Sequence, residues 1–302
     1  MDSLPDLSVR QLKAIVALAR FESFIAAAAY LKVSPSGLTR LVQQVESLVG
    51  VQLFHRGTRK VVPTEAGAVI VQASQRLLSD LALQVQSARA LDGELRGQLS
   101  ISSLMSISHR VVPHALIKFR RKYPNVHVHV REGLGDNVLN DVSRGYVDFG
   151  IGNIESAPVD LAIAASAEET YFLILPKSHP MAALKTVPLK KLADEQLVSM
   201  PPESGLKKAI DMAANSQGIA LNHGIIINQF GSLFDFVGNG LGIAIAPAVA
   251  LPSDGNPAIV VKPLRPRITR RIGILHSKDR PLTPVAEAFL EIFQPIFLTA
   301  IK

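Results

Sequence analysis

The chain has 302 residues, 32 lysines and arginines against 25 aspartates and glutamates, and neither cysteine nor tryptophan. At roughly 100–200 residues per domain, that length suits two or three domains, and 48% hydrophobic with 19% charged residues can fill cores and excludes a disordered chain. The lack of cysteine excludes disulfides, thiolate metal sites and cysteine nucleophiles.

Asp2, Asp6, Arg10, Lys13 and Arg20 leave no clean apolar signal-peptide core at the start. The longest apolar run, Leu241 to Leu251, contains Gly242 and Pro247 and is far short of the ~20 residues of a membrane span. The expectation is a cytoplasmic, multi-domain globular protein with no membrane partner. Its net charge of +7 hints at a polyanion, but basic residues are spread along the whole chain, so pattern must localise the surface.

In chain order, Leu7, Leu12, Ile15, Val16 and Ala19 predict an amphipathic helix ending near Phe21. Ser23 caps a short alanine-rich helix to Leu31, and the alanines allow close backbone approach. After the tight Lys32-Val33 connection, Ser34 suits an N-cap and Pro35 the first helical position. A third helix then runs to about Val49, stopped by Gly50.

Leu38, Leu41, Val42, Val45 and Leu48 turn inward, leaving Ser36, Thr39, Arg40, Gln43 and Gln44 on the other side. Two helices joined by a short turn, the second offering hydroxyls, amides and one arginine, form a helix-turn-helix with the side chains that read base edges. Val51 to Pro63 reads as a hairpin whose basic tip, with Arg56, Arg59 and Lys60, suits phosphates or the minor groove.

These residues carry a specific resemblance. The run Ser23-Phe24-x-x-Ala27-Ala28-x-x-Leu31-x-Val33-Ser34, continuing through Leu38-Thr39-Arg40, Val45-Glu46-x-Leu48-x-Gly50-Val51-x-Leu53-Phe54-x-Arg56 to Pro63-Thr64-Glu65-Ala66-Gly67, resembles the winged helix-turn-helix of LysR-type transcriptional regulators. Pro35 stands where that family commonly has Gln, Gly37 where it often has Ala, and Pro63 where Leu is usual. The resemblance implies an all-α winged helix-turn-helix DNA-binding domain over residues 1–63. Ser34, Pro35, Ser36, Thr39, Arg40 and Gln43 would face the major groove of double-stranded DNA, with Arg56, Arg59 and Lys60 on the backbone or minor groove.

Thr64 can cap a long helix to about Leu95, with Ile70, Leu77, Leu81, Val85, Ala88, Leu91 and Leu95 in one apolar stripe. Pairing with a second copy would cover such a stripe, and packing on its own chain is the alternative. The family resemblance implies a homodimer through this helix, residues 64–96, and commonly a homotetramer.

From Gly97 short β-rich runs alternate with amphipathic helices. Strands are predicted near 99–102, 126–130, 147–151, 171–175, 197–200, 224–227, 242–246 and 272–276. Helices are predicted near 111–122, 138–144, 206–217, 233–237 and 285–297. This alternation argues for parallel sheets covered by helices, arranged as two doubly wound α/β lobes with ligands at the strand ends.

Gly97-x-Leu99-x-Ile101, Pro113, Tyr123-Pro124-x-Val126, Glu132-Gly133, Gly145-x-x-Asp148 and Gly240-x-Gly242-Ile243 resemble the LysR effector domain, shaped like a type 2 periplasmic binding protein. By that likeness lobe I is 97–168 with 265–302, and lobe II is 169–264. Ser102, Ser103 and Ser106, after the first strand and before a helix, could seat a carboxylate, joined by Gly135, Pro201, Ser204 and Phe230; each serine could equally be a helix cap.

Other signals carry less. Gly238-x-Gly240-x-Gly242 follows a helix and precedes a strand, the reverse of a phosphate loop, so Gly240 is read as a helix C-cap. His127 and His129 share a strand face but lack a third ligand at useful spacing. Lys118-Arg120-Arg121-Lys122 and Arg265-Arg267-Arg270-Arg271 read first as a solvated face and a crossover. No catalytic constellation has a local signature.

The expectation is therefore a transcription regulator, not an enzyme, with no cofactor and a small organic anion as effector. RNA polymerase is a partner if it activates, and the location is bacterial, cytoplasmic and nucleoid-associated. A two-lobed enzyme or solute-binding protein carrying an accessory domain is the rival.

Overall fold

The computed structural model describes residues 5–56, 60–90, 95–252 and 255–301, and the chain divides into two compact units, residues 1–88 and 89–302. In the first unit, α1 (Val9–Phe21), α2 (Phe24–Leu31) and α3 (Pro35–Val49) close on a core that includes Ile15, Leu18, Ala27, Leu38, Val42, Val45 and Leu53. Each start is capped by its own serine: Ser8 with Gln11 as a capping box, Ser23 on Ala26, and Ser34 on Gly37 with Pro35 in the first turn. Glu22 and Lys32 adopt the left-handed conformation, which tightens both inter-helix turns.

The wing is the antiparallel pair β1 (Phe54–Arg56) and β2 (Val61–Pro63), so the unit is a helical core with a small hairpin and not all-α. The Glu46 carboxylate accepts the Leu53 amide at 2.9 Å, fixing the chain's exit from α3. The linker helix α4 (Glu65–Ala90) is capped by Thr64, which accepts the Gly67 amide at 2.9 Å. A Cβ on Gly67 would fall 1.9 Å from the Leu53 carbonyl oxygen, so only glycine lets α4 cross here. The expected extension of this helix through Leu91 falls on residues 91–94, outside the described residues.

The second unit runs β3 (Gly97–Leu104), α5 (Met105–Lys122), β4 (Val126–Gly133), α6 (Gly135–Ser143), β5 (Phe149–Asn153) and β6 (Leu161–Pro176). It continues with β7 (Val187–Pro188), β8 (Gln196–Ser199), α7 (Gly205–Asn215), β9 (Asn222–Ile226), α8 (Phe230–Gly238), β10 (Ala244–Pro247), β11 (Ile259–Arg265), β12 (Thr269–Ser277) and α9 (Pro284–Ala300). The strand order is β4-β3-β5-β12-β6-β11-β7 with β10 also on β6, and β8-β9 joined through a Leu197–Ile243 bridge.

Among the described residues, β3/β4, β3/β5, β8/β9, the short β7/β11 pair and the Leu197–Ile243 bridge are parallel. The pairs β5/β12, β12/β6, β6/β10 and β6/β11 are antiparallel, which corrects the expectation of parallel sheets. The long strand β6 runs through both lobes, and β12 pairs along its first half and returns the chain to lobe I. One core packs residues of 99–151 and 272–301 around Phe119, Phe149, Phe289, Phe293 and Phe297. The other draws on residues 171–268, with Leu173, Leu189, Leu192, Leu233 and Val237 fully enclosed. Each buried Phe or Leu contributes about 1.5–3 kcal/mol, so each lobe has its own reason to stay folded.

Two boundaries shift from expectation. Helix α5 begins at Met105, six residues before the predicted start, which puts Ser102 and Ser103 in strand β3 and Ser106 in the first turn. The first half of β6 and all of β11 were not predicted as strands. Gly240 has φ +78° and its amide meets the Val237 carbonyl at 2.9 Å just past α8, the helix-end role expected of it.

Candidate functional site

Two surfaces carry chemistry, one in each unit. On the first, Ser34, Pro35, Ser36, Arg40 and Gln43 lie exposed at the start and along the outer face of α3, and Thr39 is half-buried. Ser34 spends its hydroxyl on the Gly37 amide, and Thr39 donates to the Pro35 carbonyl at 2.9 Å. The Ser36 hydroxyl lies 3.2 Å from that of Ser34, which leaves Arg40 and Gln43 as the long exposed polar side chains of this face. Lys60 on the wing pairs with Glu22 at 2.7 Å, both exposed; that hydrogen bond and the carboxylate's charge hold the lysine above its ordinary pKa. Arg56 lies in β1, and Arg59 lies outside the described residues.

The second surface is a narrow cavity of about 30 Å³ between the lobes. The starts of four helices converge on it: Met105-Ser106 of α5, Leu134-Gly135 before and in α6, Ser204-Gly205 of α7 and Phe230 of α8. None of the four has a side-chain cap, whereas α1, α2, α3, α4 and α9 are all capped by Ser or Thr. Amides left open at a helix start, together with the positive end of the helix dipole, favour an anion. Lys208 of α7 reaches Asp136 of α6 at 3.4 Å, a largely solvated pair between the two lobes.

Arg270 of β12 also lines this cavity. It is buried, pairs with the fully buried Glu169 of β6, and donates to Ser106 Oγ at 2.8 Å. The other Glu169 oxygen accepts the Val249 amide at 2.9 Å. One ion pair thus joins the two crossover strands, a helix start in lobe I and a turn beside β10. Beneath it, Arg270 lies 5.6 Å from the Tyr171 ring centroid. Burial pushes the Tyr171 phenol up to about 12, against the pull of Arg270, and its hydroxyl lacks a hydrogen-bond partner. Among the described residues no three His, Asp or Glu side chains converge to hold a metal, and no helix is long and apolar enough to cross a membrane.

Residues 9–68 match the family model "Bacterial regulatory helix-turn-helix protein, lysR family", and residues 92–297 match "LysR substrate binding domain". The chain belongs to the LysR family. It is 32% identical to an uncharacterized HTH-type transcriptional regulator, YfeR, of Shigella flexneri, over 94% of this chain and 92% of that one. Its fold is similar to full-length OxyR from Pseudomonas aeruginosa (TM-score 0.72, 22% identity, 97% of this chain and 95% of that one). It is similar too to full-length CbnR complexed with its target DNA (TM-score 0.63, 22% identity, 96% and 100%). As a LysR-type regulator it is a DNA-binding transcription factor with an effector-binding domain, not an enzyme.

Within this LysR chain, Ser106, Gly135, Ser204 and Phe230 line the cavity as a set. Ser102, Ser103 and Pro201 do not: Ser102 donates to Asp141 at 2.9 Å and Ser103 to the Leu104 carbonyl at 3.2 Å, both from inside the lobe. Sequence reasoning missed Arg270, Glu169 and Asn153. Arg270 was read as part of a basic crossover, and its carboxylate partner stands 101 residues earlier, so no local signal reveals the pair. It also missed a buried tie in lobe II, where His223 meets Ser199 at 2.6 Å and Asp211 at 2.7 Å, binding α7 to β8 and β9.

Proposed function

We propose that the cleft takes a small organic anion as effector, and that its binding shifts the two lobes about the β6 and β12 crossovers. The observation that carries this is the ring of four uncapped helix starts beside Arg270. An anion there gains open amides, four dipole ends and the Ser106 and Ser204 hydroxyls. It can move the equilibrium only by binding one lobe arrangement better than the other.

The DNA-binding form is a homodimer through α4, assembled into a homotetramer, on an interrupted two-fold site in double-stranded DNA. What supports it is the stripe on α4: Leu77, Leu81 and Val85 are 59%, 49% and 41% exposed, and a second copy would cover them. Ser36, Arg40 and Gln43 enter the major groove, with Arg56, Arg59 and Lys60 on the backbone or minor groove. RNA polymerase is the further partner where the protein activates. No cofactor is needed, and the working location is the cytoplasm, on the nucleoid.

The test has two arms. Genomic fragments retained at near-physiological salt are sequenced, and binding to a retained fragment is compared with Arg40→Ala. One bidentate base contact is worth about 1–3 kcal/mol, so affinity is expected to fall about 10- to 100-fold with folding unchanged. Equal affinity would remove α3 as the reader. In the second arm, thermal shift against small carboxylates and their neutral amides should favour the acids, and Ser106→Ala should reduce the shift. Stabilisation by the amides alone would refute an anion site.

A further inference from the structure

We propose that the groove between α5 and α9 is a second ligand site, built for an amphiphilic organic anion. The groove is open to solvent and offers about 960 Å³, ample for a small molecule. Its two walls differ in chemistry. Along α5, Arg110, Lys118 and Arg121 form one cationic stripe, with His114 between them bonded to the Arg110 carbonyl. Along α9 the wall is apolar, with Ile292 and Ile296, and Val249 closes one end.

Among the described residues no acidic side chain lines the groove. Among them, too, Lys118 and Arg121 have no carboxylate within ion-pair distance, whereas Arg110 is held by the Leu251 carbonyl. A purely apolar occupant would leave the cations unanswered, and a compact anion would leave the α9 wall wet. A chain with one acidic head answers both, the head on Lys118 and Arg121 and the body along Ile292 and Ile296. Charge also disfavours the same face of a second copy, because the two stripes would be brought together on molecules that each carry +7. The site is separate from the cleft: the two share no lining residue.

The experiment titrates the full chain with dodecanoate and dodecanol, each displacing the dye anilinonaphthalene sulfonate; with no tryptophan in the chain, the dye signal stands alone. Dodecanoate is expected to bind about tenfold more tightly than the alcohol. The pair Lys118→Glu with Arg121→Glu should weaken it by about tenfold or more, and Ser106→Ala in the cleft should leave it unchanged. Should that pair unfold, Ile117→Glu, at a position 55% exposed, tests the same wall. The proposal is overturned if acid and alcohol bind alike, if dodecanoate does not bind, or if the charge reversals leave its affinity intact. It is equally overturned if the dye is excluded and the reversals split the assembly in sedimentation, since a second copy would then be the occupant.

Discussion

The helix starts of the DNA-binding unit and those around the cleft are finished in opposite ways. In the DNA-binding unit every described helix start is closed by a neighbouring Ser or Thr, so the backbone is silent and the outer side chains of α3 carry the exposed chemistry. Around the cleft, four helix starts have no side-chain cap and the backbone itself faces the cavity. The difference teaches where each recognition surface is stored: as residue types in the first unit, as chain geometry in the second.

That contrast is most strongly broken at Glu169. Its carboxylate is the charge partner of Arg270 and the acceptor for Val249, and a buried ion that loses its partner costs about 3–5 kcal/mol. Glu169→Ala is therefore expected to lower the stability of the second unit by that amount, read by urea unfolding of the circular dichroism signal. Glu169→Gln, which keeps the shape and one acceptor, should lose less. Equal loss in both would mean that the charge alone holds the crossover and the shape adds nothing, and no loss in Glu169→Gln would mean that packing alone holds it.

A second contrast lies in pH. Asp148 of the second unit accepts the Ser100 amide at 2.8 Å and the hydroxyl of Thr283, the α9 cap. Burial pushes its carboxyl up to about 6 from 3.8, more than its hydrogen bonds and Arg280 pull it down. Because the folded pKa is raised, the folded state still holds a proton that the unfolded chain has released between those two values. Stability should then fall as pH rises from about 4 to about 6, by up to about 3 kcal/mol. Asp148→Asn should flatten that slope. An unchanged slope would place the titration elsewhere.

Side-chain patterns explain what was legible. The three N-terminal helices and their caps rest on contacts three or four residues apart, so Ser23, Ser34 and Gly50 announce them directly. The amphipathic helices of the second unit follow from the same periodicity. The first half of β6 did not, because Ala164, Ala165, Ser166, Glu168 and Glu169 lack the branched, alternating character of an ordinary strand. It is a strand because β12 lies against it, and Glu169 faces Arg270 across that ladder. The same distance in sequence hid the cleft: Ser106 and Ser204 are visible as serines near helices, but that neither caps its helix is a fact of three-dimensional geometry.

The smallest effect decides whether those open helix starts are a property of the cleft. Thr283 caps α9 by accepting the Ala286 amide at 3.1 Å and donates to Asp148 at 3.3 Å, so Thr283→Ala should lower stability by about 1 kcal/mol for the cap, or more with the second bond. Ser204 stands at the same position before α7, is buried, and makes no cap. With no hydrogen bond to lose, Ser204→Ala should change stability by less than about 0.5 kcal/mol, and should instead weaken the thermal shift given by a bound carboxylate. Both substitutions place alanine at the N-cap of a helix in the same unit, although Thr283→Ala also removes a methyl group and the bond to Asp148. A loss of about 1 kcal/mol at Ser204 as well would make it an ordinary cap, and the cleft would then keep three open helix starts, not four.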